Sequence, residues 1–203
     1  MSSLLLIRHG EVQGIDPPIF RGRTELALTP KGARQAEMTR DHLHQHGALD
    51  AIYCSPLSRC VLTAGTIAQS FGLKPIQHPG LTDIDYGVWS SRPVEEVAER
   101  WPSEAILWKT APHTIRIPEA ESLQEVAARA TDALVTISNA HPTGTVSIVT
   151  HDSVIRVLLC HLSGLPLSSY WLFNPSPCGV SLVDLGDRST IHMVNGTQHL
   201  LGA

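Results

Sequence analysis

Apolar residues in this chain come in short unbroken runs and in longer stripes, and the two alternate. Residues 4–7 are uniformly apolar and stop at Arg8, and residues 51–54 and 146–149 repeat the pattern. Short apolar runs bounded by turn signals read as buried strands. Thr29-Pro30-Lys31-Gly32 sets a capping hydroxyl before a proline at the first helical position, and predicts a helix to about His46, where Gly47 ends it. Ser55-Pro56 repeats that signal and predicts a second helix to about Phe71, before Gly72. Leu123, Val126, Ala127, Ala130, Leu134 and Ile137 share one side of a helix over 121–140, and residues 153–162 form another after the third strand. Residues 179–185 and 190–194 read as a closing antiparallel pair around Gly186-Asp187-Arg188. Residues 80–118, rich in proline and tryptophan, read as a helical excursion with loops, a lid over the site. The alternation predicts a layered α/β fold. With no repeat, linker or low-complexity tract, residues 1–203 read as one domain.

Composition narrows the class. A length of 203 residues is enough to bury a core without a staple, and 42% apolar with 17% charged residues is globular rather than disordered. The net charge is −4 with signs interspersed, which argues against a nucleic-acid or anionic-membrane partner. Cys54, Cys60, Cys160 and Cys178 stand alone, so they read as small buried residues, not as a disulfide framework or a zinc site. Met1-Ser2-Ser3 lacks a basic region and the first apolar run is too short for a signal peptide. No stretch approaches the roughly 18 apolar residues of a membrane span. The expected location is the cytoplasm.

The chemistry sits at three strand ends. Arg8-His9-Gly10-Glu11 follows the first strand, Ser55 to Arg59 the second and Thr150-His151-Asp152 the third. In open α/β sheets ligands bind beyond the carboxyl ends of the strands, so these tips should converge. Two histidines and two arginines suit an anion, because guanidinium offers a planar fork of donors and a helix N-terminus adds unpaired N–H groups. Residue types and spacing lead to an anion site on an α/β sheet and no further.

Leu6-Ile7-Arg8-His9-Gly10-Glu11 resembles the signature of the histidine phosphatase superfamily, which includes the cofactor-dependent phosphoglycerate mutases. Four more blocks follow in that family's order: residues 22–36, residues 53–64, residues 81–89 around Asp83, and Val149-Thr150-His151-Asp152. The resemblance covers nearly the whole chain. It implies a three-layer α/β/α sandwich with a mostly parallel central sheet, and a phosphomonoesterase working through a phosphohistidine on a small phosphorylated metabolite. By resemblance, His9 is the nucleophile, and Arg8, Arg59 and His151 hold the non-bridging oxygens. Asp83 protonates the leaving oxygen, and no metal or cofactor is implied.

Three departures leave alternatives open. The family's donor is usually glutamate, so Asp83, one methylene shorter, competes with Asp85 and with Asp152, whose bland reading is a helix N-cap. The asparagine often found after the nucleophile is absent from Val12-Gln13-Gly14-Ile15-Asp16-Pro17-Pro18; Arg21 or the Gly22 N–H would take its phosphate contact, with Arg23 more simply solvated. Ile84-Asp85-Tyr86 replaces the mutases' Arg-His-Tyr, and few basic residues (Arg92, Arg100, Lys109) follow, which favours hydrolysis over mutase transfer. Two substrate expectations stand side by side: phosphoserine, from the excursion and the C-terminal Asn195 to Leu200, although Tyr86 stands where phosphoserine phosphatases place a histidine; and α-ribazole phosphate, from Gly22-Arg23-Thr24. A non-catalytic phosphate-binding module is a separate reading. His42, His44 and His46 could instead be metal ligands, though a solvated face is the simpler reading. Trp89, Trp101, Trp108 and Trp171 could line the lid or anchor the core, and the apolar C-terminal pair could sit at a homodimer edge.

Overall fold

The computed structural model describes residues 2–13, 18–186 and 188–202. Residues 14–17 of the expected nucleophile loop, and Asp187 of the expected hairpin turn, lie outside that description. The elements are β1 (Ser2–Arg8), α1 (Pro30–His46), β2 (Ala51–Cys54), α2 (Ser58–Ala68), β3 (Ile76–Gln77), α3 (Val94–Arg100), α4 (Pro102–Thr110), α5 (Leu123–Ala140), β4 (Gly144–Thr150), α6 (Asp152–Ser163), β5 (Val180–Leu185) and β6 (Thr190–Gly196). One sheet runs in the order β3-β2-β4-β1-β5-β6. The first four strands in that order are parallel, and β5 and β6 close the edge antiparallel.

Helices cover both faces, which is why the central strands are apolar on both sides. Leu4 and Leu6 join one core with Val126, Ala130, Val154 and Leu158; Ile7 joins the other with Leu43, Cys60, Ala64 and Ile67. Each such Leu or Ile side chain contributes about 1.5–3 kcal/mol by leaving water. The four cysteines are free and buried, as the isolated spacing predicts. Among the described residues no helix is long and apolar enough to cross a membrane.

Several local expectations shift. Thr29 caps α1 as read, its hydroxyl accepting from the Gly32 N–H at 3.0 Å. Ser55 does not cap α2. That helix starts at Ser58, whose N–H is met by a distant side chain, the Glu25 carboxylate at 3.1 Å. α2 ends at Ala68, and a single tighter turn carries the chain to Gly72. Glu121 lies outside α5, whose capping box is Ser122 with Glu125. β3 was not anticipated; two exposed residues carry no periodicity.

The 80–118 excursion is anchored rather than loosely laid over the sheet. Trp89, Val97 and Trp108 are buried in the larger core, with Trp101 packed against it, whereas Trp171 is 41% exposed. Three of the four tryptophans are therefore core anchors.

Candidate active site

β1, β4 and β2 deliver their tips to one place because the backbone ties them there. The His9 N–H donates to the Thr150 carbonyl at 2.9 Å, and the Ser55 N–H to the Val149 carbonyl at 3.0 Å. The turn after His9 is then pressed against α1. A Cβ on Gly10 would stand 2.4 Å from the Gly32 carbonyl oxygen, and one on Gly32 would stand 2.1 Å from that of Glu11. Only two glycines allow this approach, which explains why the Arg-His-Gly and Pro-Lys-Gly runs occur in the same chain. The Gly10 N–H donates to the Thr63 hydroxyl at 3.1 Å, and the Glu11 N–H to the Gln35 amide oxygen at 3.0 Å.

Within this frame the expected residues come together. The His9 and His151 rings lie 5.3 Å apart, edge to face, and both side chains are buried. His9 Nδ1 is 2.7 Å from the Gly10 carbonyl. A carbonyl only accepts, so Nδ1 carries the proton and Nε2 keeps its lone pair. Burial pushes the His9 pKa well below its usual value, and the charges of Arg8 and Arg59 push the same way. The ring is thus held neutral. His151 is lowered by burial first, then by Arg59 and His9, and its Nε2 lies 2.8 Å from the Ser55 hydroxyl. Ser55, read from sequence both as the start of the second strand tip and as a helix cap, sits in the site.

Arg59 is fully buried. It donates to the carbonyls of Thr24 at 2.8 Å and Gly22 at 2.7 Å, and to Asp83 Oδ2 at 3.2 Å. Gly22 thus contributes its carbonyl to hold Arg59, and its φ of +48° is one that a side chain would strain. Arg8 donates to the Pro175 carbonyl at 2.8 Å. Among the described residues, the Nε atoms of both Arg8 and Arg59 are buried without a partner. Buried guanidinium donors left unspent fit an anion.

The acidic candidates separate. Asp83 is buried, its Oδ1 accepting from the Ile84 N–H at 2.9 Å and from the Ser153 hydroxyl, and its Oδ2 lying 3.5 Å from His151 Nδ1. Burial and the charge of Asp152 raise its pKa, against the pull of Arg59. Asp152 goes the other way. Burial raises it, but Arg8, Arg156 and Arg21 together outweigh that and hold it at about 2. It is the first residue of α6, not the N-cap, which is His151. Asp85 is not brought to the cluster: it accepts from the Gly87 N–H at 2.9 Å and faces Arg23 at 3.5 Å. Arg23 is not merely solvated, since it also reaches Glu121 at 3.0 Å. Arg21 lies within electrostatic reach of Asp152, Arg8, Asp83 and Tyr86.

A metal does not fit the other histidines. His42 stacks on His46 at 4.3 Å and on His199 at 4.7 Å, while His44 packs on Phe71. His42 and His199 lie face to face, the His46 ring is tilted by 41° to that of His42, and His44 meets Phe71 edge-on. Among the described residues no three His, Cys, Asp or Glu side chains could hold an ion together.

Known proteins share this architecture along its full length. The chain is similar to phosphoserine phosphatase 1 of Hydrogenobacter thermophilus, 33% identical over 201 residues, covering 98% of this chain and 95% of that one. Bacillus stearothermophilus YhfR superposes with a TM-score of 0.94 at 25% identity, covering 98% of this chain and 100% of that one. The α-ribazole phosphatase from Shigella flexneri gives 0.86 at 25% identity, over 96% of each chain. The sequence pattern of the histidine phosphatase superfamily (branch 1) matches residues 4–196, and the chain with its neutral histidine between two buried arginines belongs to that family of phosphatases.

Proposed function

We propose that the protein is a metal-independent phosphomonoesterase that acts through a phosphohistidine at His9. The observation that carries this reading is the Nδ1 bond to the Gly10 carbonyl, which leaves Nε2 unprotonated beside unspent arginine donors. His9 Nε2 attacks phosphorus as the ester P–O bond breaks. Asp83, whose pKa burial and the charge of Asp152 raise, gives its proton to the leaving oxygen and an alcohol departs. The Asp83 carboxylate then takes a proton from water, the water oxygen attacks phosphorus, and the N–P bond breaks to release inorganic phosphate. Arg8, Arg59 and His151 meet the charge on the non-bridging oxygens, work a metal ion does elsewhere. Asp152, ionised, is unsuited to donate the first proton. Two carboxyls driven apart in this way is a recurrent means of assigning acid and base roles.

For the substrate, phosphoserine is the better reading. Arg21, the ionised Asp152 and the phenols of Tyr86 and Tyr170, held protonated by burial, lie within electrostatic reach of Asp83. A cation and an anion side by side match an alcohol that carries both an ammonium and a carboxylate. Arg92 and Arg100 both pair with Glu96, at 2.5 and 2.9 Å, which supports hydrolysis over mutase transfer. The test is a side-by-side comparison of phosphoserine, α-ribazole phosphate, sugar phosphates and 3-phosphoglycerate in excess chelator. Phosphoserine is expected to give the highest kcat/KM, with release of phosphate unaffected by chelator. Turnover that needs added metal would overturn the mechanism, and a clear preference for α-ribazole phosphate would replace the substrate.

A further inference from the structure

Asp83 is shorter by one methylene than the glutamate its family usually places there, so the position of its backbone must make up the reach. That backbone is held with unusual completeness. The carbonyl oxygens of four successive residues are each captured by a side chain from elsewhere. Arg129 Nη1 donates to those of Gly80 at 3.0 Å and Thr82 at 2.5 Å, and Arg129 Nη2 to that of Asp83 at 3.1 Å. The Thr150 hydroxyl, from the tip of β4, donates to the Leu81 carbonyl at 2.7 Å. Arg23 Nε adds a second bond to the Asp83 carbonyl at 3.3 Å.

The guanidinium is itself locked. Glu121 accepts from Arg129 Nε and Nη2, both at 2.9 Å, in the two-pronged geometry that fixes a guanidinium plane. The same carboxylate accepts from the Asp85 N–H at 3.1 Å and meets Arg23 Nη2 at 3.0 Å. Arg129 and Glu121 thus grip the chain on both sides of Asp83, and Arg129 spends its hydrogen bonds on Glu121 and the backbone carbonyls rather than on Arg8, His9, Arg59 or His151. We propose that Arg129, oriented by Glu121, is the positioning residue that sets the Asp83 carboxyl at donor distance from the leaving oxygen; this rests on the reading of Asp83 as the leaving-group acid.

A positioning role has a signature that a stabilising role lacks. An alkoxide leaves only with a proton, whereas a nitrophenolate leaves without one, so a misplaced acid harms alkyl esters selectively. The measure is kcat/KM, which reports phosphoryl transfer to His9 and not the later hydrolysis. The substrates are p-nitrophenyl phosphate and phosphoserine, or whichever other primary-alkyl phosphate the wild type turns over fastest. Arg129→Ala should lower kcat/KM for the alkyl ester about 100-fold, as a displacement of about 1 Å can, and that for p-nitrophenyl phosphate less than about threefold. Arg129→Lys, which keeps the charge and loses the planar fork, and Glu121→Gln should show the same selectivity in weaker form. They decide the matter if Arg129→Ala does not fold. Equal losses on both substrates, or none, would overturn the positioning role while leaving the Asp83 assignment intact. Asp83→Asn is the control: if its own loss is not larger for the alkyl ester, the donor assignment itself falls, and the clamp with it.

Discussion

The molecule holds two groups of stacked or touching histidines, and they could hardly be put to more different use. His9 and His151 meet at the strand tips, 5.3 Å apart; His42, His46 and His199 pile up beside the last turns of α1 at 4.3 and 4.7 Å. His9, His151, His42 and His199 all lose basicity for the same first reason, burial. What differs is the company. Around His9 stand two buried arginines with donors to spare and a carboxyl pushed towards its acid form, whereas beyond burial His42 is pushed down by His46 and His199 by His42, with no arginine or lysine among their main causes. Proximity of imidazoles is a packing result; chemistry needs an uncommitted nitrogen beside uncommitted positive charge.

That contrast can be broken by experiment. The largest expected effect is His9→Ala, which should lower kcat on the order of 10⁶-fold and abolish acid-labile phosphate on the protein during turnover, while circular dichroism stays unchanged. Retention of wild-type rate would end the distinction between the two groups. Arg59→Lys should lower kcat/KM about 10²- to 10³-fold on both alkyl and nitrophenyl esters, because a point charge cannot hold Thr24, Gly22 and Asp83 and still offer a donor to phosphate. The smallest effect belongs to the other group. His42→Asn should leave kcat/KM within about twofold. Its pKa in the folded protein lies below the usual 6.5, so the unfolded chain takes the proton first as pH falls through that value, and stability declines. The variant should therefore lose less stability than the wild type between about pH 7 and pH 5 in denaturant titrations. An unchanged slope would show that this stack contributes nothing to the acid response.

Much of this was legible in the sequence where the cause is local. Apolar runs fixed β1, β2 and β4, and Thr29-Pro30 marked the start of α1 because cap and helix are neighbours in the chain. The tips bearing Arg8, His9, Arg59 and His151 were placed by a general rule about strand ends. Local signals failed where the partner is remote. Ser55-Pro56 has the form of a cap, yet Ser55 bonds to His151, 96 residues on, and Glu25 does the capping from 33 residues back. Glu121 and Arg129 are eight positions apart, which is not a same-face helix pairing of three or four; in the sequence they resemble ordinary surface charge. The choice between Asp83 and Asp152 was invisible for the same reason, since it depends on which arginines fold against each.

The order of strands has a consequence for how the protein is made. β1 is synthesised before the other five strands of the sheet, yet it lies mid-sheet, and its two neighbours are β4 and β5. The Arg8 side chain donates to the Pro175 carbonyl, and the Arg8 carbonyl accepts from the Cys178 N–H. A growing chain still short of those residues carries His9, Arg8, Arg59 and Asp83, but no finished strand end to hold them in register. Activity should therefore arrive late and all at once, when the closing hairpin docks. Such long-range closure makes folding slow relative to helical proteins of this size, and during translation it keeps a half-built phosphatase silent.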